Sequence, residues 1–88
     1  MAKITVKKDT YRDSLILMKI ANAIREMENI RGCTVALASE QNKTTLPEAF
    51  RNVPAVVEAG PNDLLIVIDS DDEEATGQAS RKIEEMLS

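Results

Sequence analysis

Five apolar residues follow one another in the run Leu64-Leu65-Ile66-Val67-Ile68, which leaves no polar residue for either face of a strand. A strand of this kind is covered on both sides or flanked by other strands, whereas a half-exposed strand alternates apolar and polar residues. The preceding segment, Gly60-Pro61-Asn62-Asp63, has the composition of a turn, since Gly permits unusual φ angles, Pro fixes φ, and Asn and Asp bond readily to nearby backbone. The sequence therefore predicts a turn that enters a buried strand over Leu64–Asp69.

Two further segments have the composition of strands. In the first, Ile4 and Val6 alternate with Lys and Thr, which predicts a core face and a solvent face. In the second, over 33–38, Val35 and Leu37 are expected on the core face. Since only the strand after Asp63 is apolar on both faces, it is expected at the centre of the sheet.

This pattern favours an α+β fold, a ferredoxin-like split β-α-β arrangement with a three-stranded sheet in the order 1-3-2 and helices on one face. The alternative is a small three-layer α/β fold with parallel strands in the order 2-1-3. That alternative would place the first strand at the centre, although Thr5 and Lys7 are expected to point outward from it. The favoured order leaves the outer edge of the first strand unpaired, and an open edge is either a pairing liability or a docking site.

Helices are expected between the strands. Apolar residues at spacings of three and four predict a helix over 11–28, capped by Asp9 or Thr10, and Gly32 is expected to end it or to form the following turn. A short irregular helix is expected within 40–51, and a packed connector over 53–58. The last helix is expected to run to Leu87, with Ser70 as its cap and the acidic residues after it matched to the helix dipole.

Composition excludes several function classes. The chain of 88 residues is long enough for one domain, and its net charge of −4 argues against a general nucleic-acid binder. It has one cysteine, Cys33, and no histidine, so disulfides within the chain, most zinc sites and Ser-His-Asp triads are not expected. No apolar run approaches the length of a membrane span, and no signal-peptide pattern opens the sequence. We therefore expect a cytoplasmic protein without a metal, a cofactor, a nucleic-acid partner or a membrane partner.

The candidate binding residues are polar groups near strand ends and helix starts. Asn42 and Lys43 follow the second strand, where a lysine is able to hold a carboxylate or phosphate. Asp13 and Ser14 stand at a helix start that is able to accept an anion, with basic residues nearby. Each group also has a purely structural interpretation, as a helix cap or a solvated side chain. The turn residues complete the candidate set, which comprises Asn42, Lys43, Ser14, Asp13, Asn62 and Asp63.

Three segments together resemble the N-terminal domain of the FdrA family, the acyl-CoA-synthetase-like proteins. They are Asp13-Ser14-Leu15-Ile16-Leu17-Met18, Ala38-Ser39-Glu40-Gln41-Asn42-Lys43 and the turn and strand from Ala59 to Ile68. The resemblance implies one FdrA N-terminal-like domain over 1–88, without the CoA-binding and ligase-like remainder of those proteins and without their phosphohistidine.

The resemblance thus predicts a non-catalytic accessory or docking subunit of an acyl-CoA synthetase or a carbamoyl or acyl transferase system. Its partner would be a separately encoded FdrA-like or CoA-ligase-like subunit, or a second copy of the chain. The alternative is an ACT-like regulatory domain that binds a small metabolite at a dimer interface, which rests on fold analogy.

Overall fold

The structure, a computed structural model, describes residues 2–88. Its strands are Ala2–Lys7 (β1), Gly32–Leu37 (β2) and Leu64–Asp69 (β3). Its longer helices are Ser14–Arg25 (α1) and, at the other end of the chain, Glu73–Leu87 (α5). Three short helices connect β2 to β3, namely Glu40–Thr44 (α2), Glu48–Arg51 (α3) and Pro54–Glu58 (α4).

The strands form one sheet in the order β1-β3-β2. Both outer strands run antiparallel to β3, with Thr5 and Val35 each opposite Ile66. The predicted order and the α+β, ferredoxin-like class are therefore confirmed. The alternative with parallel neighbouring strands is not the one adopted.

β3 is buried on both faces, as its composition predicts. One face packs in a first core with α1, β2 and α5, which contains Leu17, Ile20, Ala21, Ile24, Cys33, Val35, Leu64, Ile66, Ile68, Ala79 and Ile83. The other face packs in a second core, which contains Ala38, Leu46, Val56, Ala59, Leu65 and Val67.

Both long helices lie on one face of the sheet, as the sequence predicts. The packed connector expected over 53–58 is present as α4 and its flanks, and it covers the opposite face. The short helices thus add a second layer, because Leu65 and Val67 also need cover from water.

The face of β1 that contacts α5 is not the one that the alternation predicts. Ile4 and Val6 pack against the second core, while Thr5 is half-buried on the side of α5 and lines a groove with Ser80. Alternation shows which side chains share a face, but not which helical layer covers that face. The expectation that Thr5 lies on a plain solvent face is therefore wrong.

The ends of α1 also differ from the prediction. The helix begins at Ser14 rather than near residue 11, and Asp13 caps it in place of Asp9 or Thr10 by accepting from the Leu15 amide. Asp9 instead adopts a left-handed conformation with φ of 50°, which Asp tolerates better than most residues.

Two turn residues have roles other than those expected. Gly32 belongs to β2, and the left-handed position after α1 is Asn29, with φ of 66°. The cap of α5 is Asp72, which accepts from two backbone amides of the first turn. Ser70 instead donates from its Oγ to the carbonyl of Asn29, 2.6 Å away, and so ties the end of β3 to the loop after α1.

Candidate functional site

All six candidate residues lie toward one end of the sheet. Because β1 and β2 are both antiparallel to β3, the ends of β1 and β2 meet the beginning of β3 there. Asn42 and Lys43 follow β2, and the turn with Asn62 and Asp63 precedes β3. The remaining two candidates begin α1, which follows β1.

The Asp63 carboxylate joins these chain ends. Its side chain is only 7 % exposed. It accepts from the backbone amides of Gly60, at 2.8 Å, and Asp9, at 2.9 Å, and from the Nζ atom of Lys8, at 3.1 Å. The Asp63 carbonyl also accepts from the Ala38 amide, at 2.9 Å. One residue thus connects the turn, the end of β1 and the end of β2.

These contacts favour the charged form of Asp63. The amides of Gly60 and Asp9, and then the Lys8 ammonium, lower the pKa of the carboxyl group from 3.8 to about 2. Hydrogen bonds to the ionised form have this effect because they are lost on protonation. Asp63 is therefore an ionised junction of the fold, already bonded to three donors.

Lys43 is held equally firmly. Its side chain is 12 % exposed, and its Nζ atom donates to the carbonyls of Ala59, at 2.6 Å, and Val57, at 3.2 Å, and to the Glu40 carboxylate. It thus satisfies carbonyls at the C-terminal end of α4, where a positive charge is favourable. The Lys43 ammonium group is therefore already bonded within the chain, and its contact with an anion or a partner stays a prediction.

Two other candidates also support the local backbone. The Nδ2 atom of Asn42 donates to the Leu37 carbonyl, at 2.8 Å, and Asp13 accepts from the Leu15 amide, also at 2.8 Å. Ser14 and Asn62 are exposed and form no side-chain hydrogen bond within residues 2–88. The topology therefore brings the candidates toward one end, while most of their polar atoms bind the chain itself.

Cys33 and the acidic residues near α5 are further potential metal ligands. Cys33 is buried in the first core, and this burial raises the pKa of its thiol from 9.0 to about 11. Asp69 and Asp71 pair with Arg31, and Asp72 caps α5. Across residues 2–88, no group of three or more His, Cys, Asp or Glu side chains is arranged to hold a metal ion.

The two outer edges of the sheet differ. On β2, the carbonyls of Cys33 and Leu37 accept from the side chains of Arg25 and Asn42. Within the described part of the chain, no side chain forms such a hydrogen bond with the outward-pointing N–H and C=O groups of β1. The open edge of β1 is as predicted, whereas the two side-chain bonds to carbonyls of β2 depend on side-chain geometry that the sequence pattern does not show.

Beside the open edge lies a groove that sequence reasoning missed. It has a volume of ≈ 420 Å³ between β1 and α5, with buried Ile66 and Ile83 among its lining residues and Lys3, Ser80 and Glu84 at its sides. The alternation of β1 was the available signal, because it places Lys3, Thr5 and Lys7 on one face.

An exposed apolar patch on α1 was also missed. Leu15 is 65 % exposed and Met18 is 59 % exposed. Their helical positions, opposite buried residues such as Leu17 and Ile24, were the signal that would have shown this patch. No helix among residues 2–88 has the length and apolar character needed to cross a lipid bilayer.

Comparison with known proteins identifies the family. The family described as "AllF, heavy metal-associated domain" matches residues 1–88. The chain belongs to this family.

A curated relative is considerably longer. The chain is similar to "Uncharacterized protein YahF" of Escherichia coli (strain K12), with 33 % identity over 85 residues. The match covers 97 % of this chain and 16 % of YahF, so the chain spans about a sixth of the relative's length. No solved structure matches the chain.

The side chains present do not fit the heavy metal in the family's description. Soft metals are held by several thiolate or imidazole ligands, whereas this chain has one cysteine and no histidine. The Cys33 thiol is buried among apolar side chains, and its raised pKa opposes the thiolate form that binds metal. The chain thus has the fold of the family without a donor set for a soft metal.

Lowering the pH should remove the contribution of Asp63 to the stability of the fold. Because the folded-state pKa lies below the ordinary value, its contribution to stability is present above about pH 4 and is lost as the pH falls toward 2. The melting temperature of Asp63→Asn, followed by circular dichroism, should therefore be lower than that of the wild-type chain at pH 7. The difference between the two melting temperatures should narrow as the pH approaches 2. Glu85→Gln, an exposed carboxylate, is the control and should match the wild type throughout. If the melting temperatures of Asp63→Asn and the wild-type chain differ by the same amount at both ends of the pH range, the role of Asp63 as an ionised junction is wrong.

Lys43→Ala should destabilise the fold, because it leaves the Ala59 carbonyl without its charged donor. We expect a loss of about 1–3 kcal/mol in the free energy of unfolding, measured by urea denaturation. Lys82→Ala, on the exposed side of α5, is the matched control and should change stability by less than about 0.5 kcal/mol. Equal effects of the two substitutions would show that Lys43 is not a structural cap.

Proposed function

We propose that this chain is a non-catalytic accessory or docking domain of a cytoplasmic FdrA-like acyl-CoA synthetase or carbamoyl or acyl transferase system. The observation that carries the proposal is the extent of the relationship to YahF. Nearly the whole chain matches, yet the match accounts for only 16 % of the relative. A module of this size would act alongside the larger remainder of such a protein.

The chemistry of the described residues supports a non-catalytic role. Most of the polar side chains that meet toward one end of the sheet already bind the chain's own backbone, as Asp63 and Lys43 do. Ligases of the type that the FdrA resemblance implies use a phosphohistidine, and this chain contains no histidine. Binding of another protein makes fewer demands than catalysis, since it needs a complementary surface rather than a reactive group.

The link to FdrA rests on three segments, each of which begins toward one end of the sheet. The Ala38 amide bonds to the Asp63 carbonyl, and Lys43 bonds to the Ala59 carbonyl. The segment that begins with Asp13 starts α1, after β1 ends. The resemblance thus includes residues that determine how this end of the domain is built.

An ACT-like dimeric metabolite sensor is the second candidate, and the open edge of β1 is the observation that favours it. The composition of that edge weighs against it. β1 contains Lys3 and Lys7 and no acidic residue, so pairing of two copies brings like charges together.

The proposal is tested with YahF from which the segment matching this chain has been deleted. This chain, added in trans to the remaining protein, should form a stable complex, detected by size-exclusion chromatography with light scattering. An unrelated domain of similar size and charge serves as the control. The proposal fails if no complex forms, or if the purified chain alone consumes ATP in the presence of CoA and a carboxylic acid.

A further inference from the structure

We propose that the outer edge of β1 is a strand-accepting site, and that its occupant is an extended segment of a partner protein in which apolar residues alternate with acidic ones. This inference deepens the accessory role proposed above by naming the surface and the chemistry of the partner. Its test is independent of the partner's identity.

The direction of each backbone group follows from the pairing of β2 with β3. The Ala38 amide donates to the Asp63 carbonyl, so these two residues form a hydrogen-bonded pair. Hydrogen-bonded and non-hydrogen-bonded pairs alternate along an antiparallel ladder. Leu65 and Val67 therefore direct their backbone groups toward β2, and Ile66 directs its groups toward β1.

The same alternation fixes the backbone of β1. Thr5 lies opposite Ile66 and bonds to it, so the N–H and C=O groups of Ile4 and Val6 point away from the sheet. No other group among residues 2–88 bonds to these outward-pointing atoms. They form a row of donors and acceptors available to an added strand.

Apolar surface lies on one face of this row. Ile4 and Val6 are partly buried against the second core, which α4 helps to form. Side chains of an added strand that lie opposite these residues would extend that core. Apolar residues at these alternate positions are therefore the ones that fit.

Positive charge lies on the other face. Lys7 pairs with Glu84 at 2.9 Å, whereas the Nζ atom of Lys3 bonds to a hydroxyl, the Oγ of Ser80, at 3.2 Å. An acidic side chain on the added strand would lie directly opposite Lys3, which bonds to a hydroxyl rather than to a carboxylate among residues 2–88, and opposite charges at such positions stabilise strand pairs.

A second copy of the chain is a poorer occupant by the same reasoning. Antiparallel pairing of two β1 strands centred on Thr5 places Lys3 of each copy opposite Lys7 of the other, and like charges at directly opposite positions are destabilising.

The test uses a synthetic peptide of about eight residues, long enough to run along β1, that alternates valine and glutamate. It is titrated into the ¹⁵N-labelled full chain, and amide hydrogen exchange is followed by NMR. The peptide should bind saturably and slow exchange at Ile4 and Val6, while a peptide alternating valine and lysine should not bind.

Two pairs of variants separate backbone from charge. Ile4→Pro removes one outward N–H and should abolish binding, while Ile4→Ala, which keeps that N–H, should retain it in part. Lys3→Glu should weaken binding of the glutamate peptide by about tenfold, the effect of losing one charge-assisted contact, and Lys82→Glu should not.

Three outcomes of the peptide experiment overturn the inference. The first is that the peptide does not bind, and the second is that it slows hydrogen exchange at amides other than those of the β1 edge. The third is that, without peptide, exchange at Ile4 and Val6 slows as the chain concentration rises, which would identify a second copy as the occupant. Formation of the complex with the remainder of YahF by the Ile4→Pro variant would overturn this surface while leaving the accessory role intact. Binding of the peptide by the wild-type chain, without formation of that complex, would overturn the accessory role while leaving this surface intact.

Discussion

Burial of β3 on both faces is the constraint on which the rest of the structure depends. Alternate residues of this strand enter opposite cores, so Ile66 packs beneath the long helices while Leu65 and Val67 need a separate cover. Each such side chain contributes about 1.5–3 kcal/mol when it is removed from water. The segment between β2 and β3 supplies the second cover in short helices, one of which starts just after Pro47 and another at Pro54.

The requirement for a second cover also determines what the polar residues at the sheet end do. Short helices provide little hydrogen bonding of their own, so side chains bond to the carbonyls and amides at their ends. Lys43 does this for the end of α4, and Asn42 does it for the Leu37 carbonyl. Asp63 bonds to the turn and to the end of β1. Groups that would suit an anion site therefore stabilise the fold, while the outer backbone of β1 keeps unused hydrogen-bonding capacity among residues 2–88.

The parts of the fold predictable from sequence are those with a local cause. The apolar run of β3 identified the central strand, and the composition of the turn before it indicated local backbone bonds, of which Gly60 to Asp63 is one. The lack of a donor set for a soft metal is visible in the composition, which has one cysteine and no histidine.

Contacts between distant residues had no such signal. Asp63 bonds to Asp9, 54 positions away, and Lys43 bonds to Ala59, 16 positions away. Nothing in the residues adjacent to Lys43 distinguishes it from a solvated lysine. Similarly, the alternation of β1 grouped Ile4 with Val6 correctly, but the layer that covers them depends on where the chain after β2 travels.

Amide hydrogen exchange of the free chain, resolved residue by residue by NMR, tests the central claim most directly. With β3 in the middle and β1 open, amides throughout β3 should exchange slowly. Along β1 protection should alternate, with Thr5 slow and both Ile4 and Val6 fast. Uniformly slow exchange along β1, or rapid exchange at Leu65 and Ile66, would contradict this arrangement of the sheet.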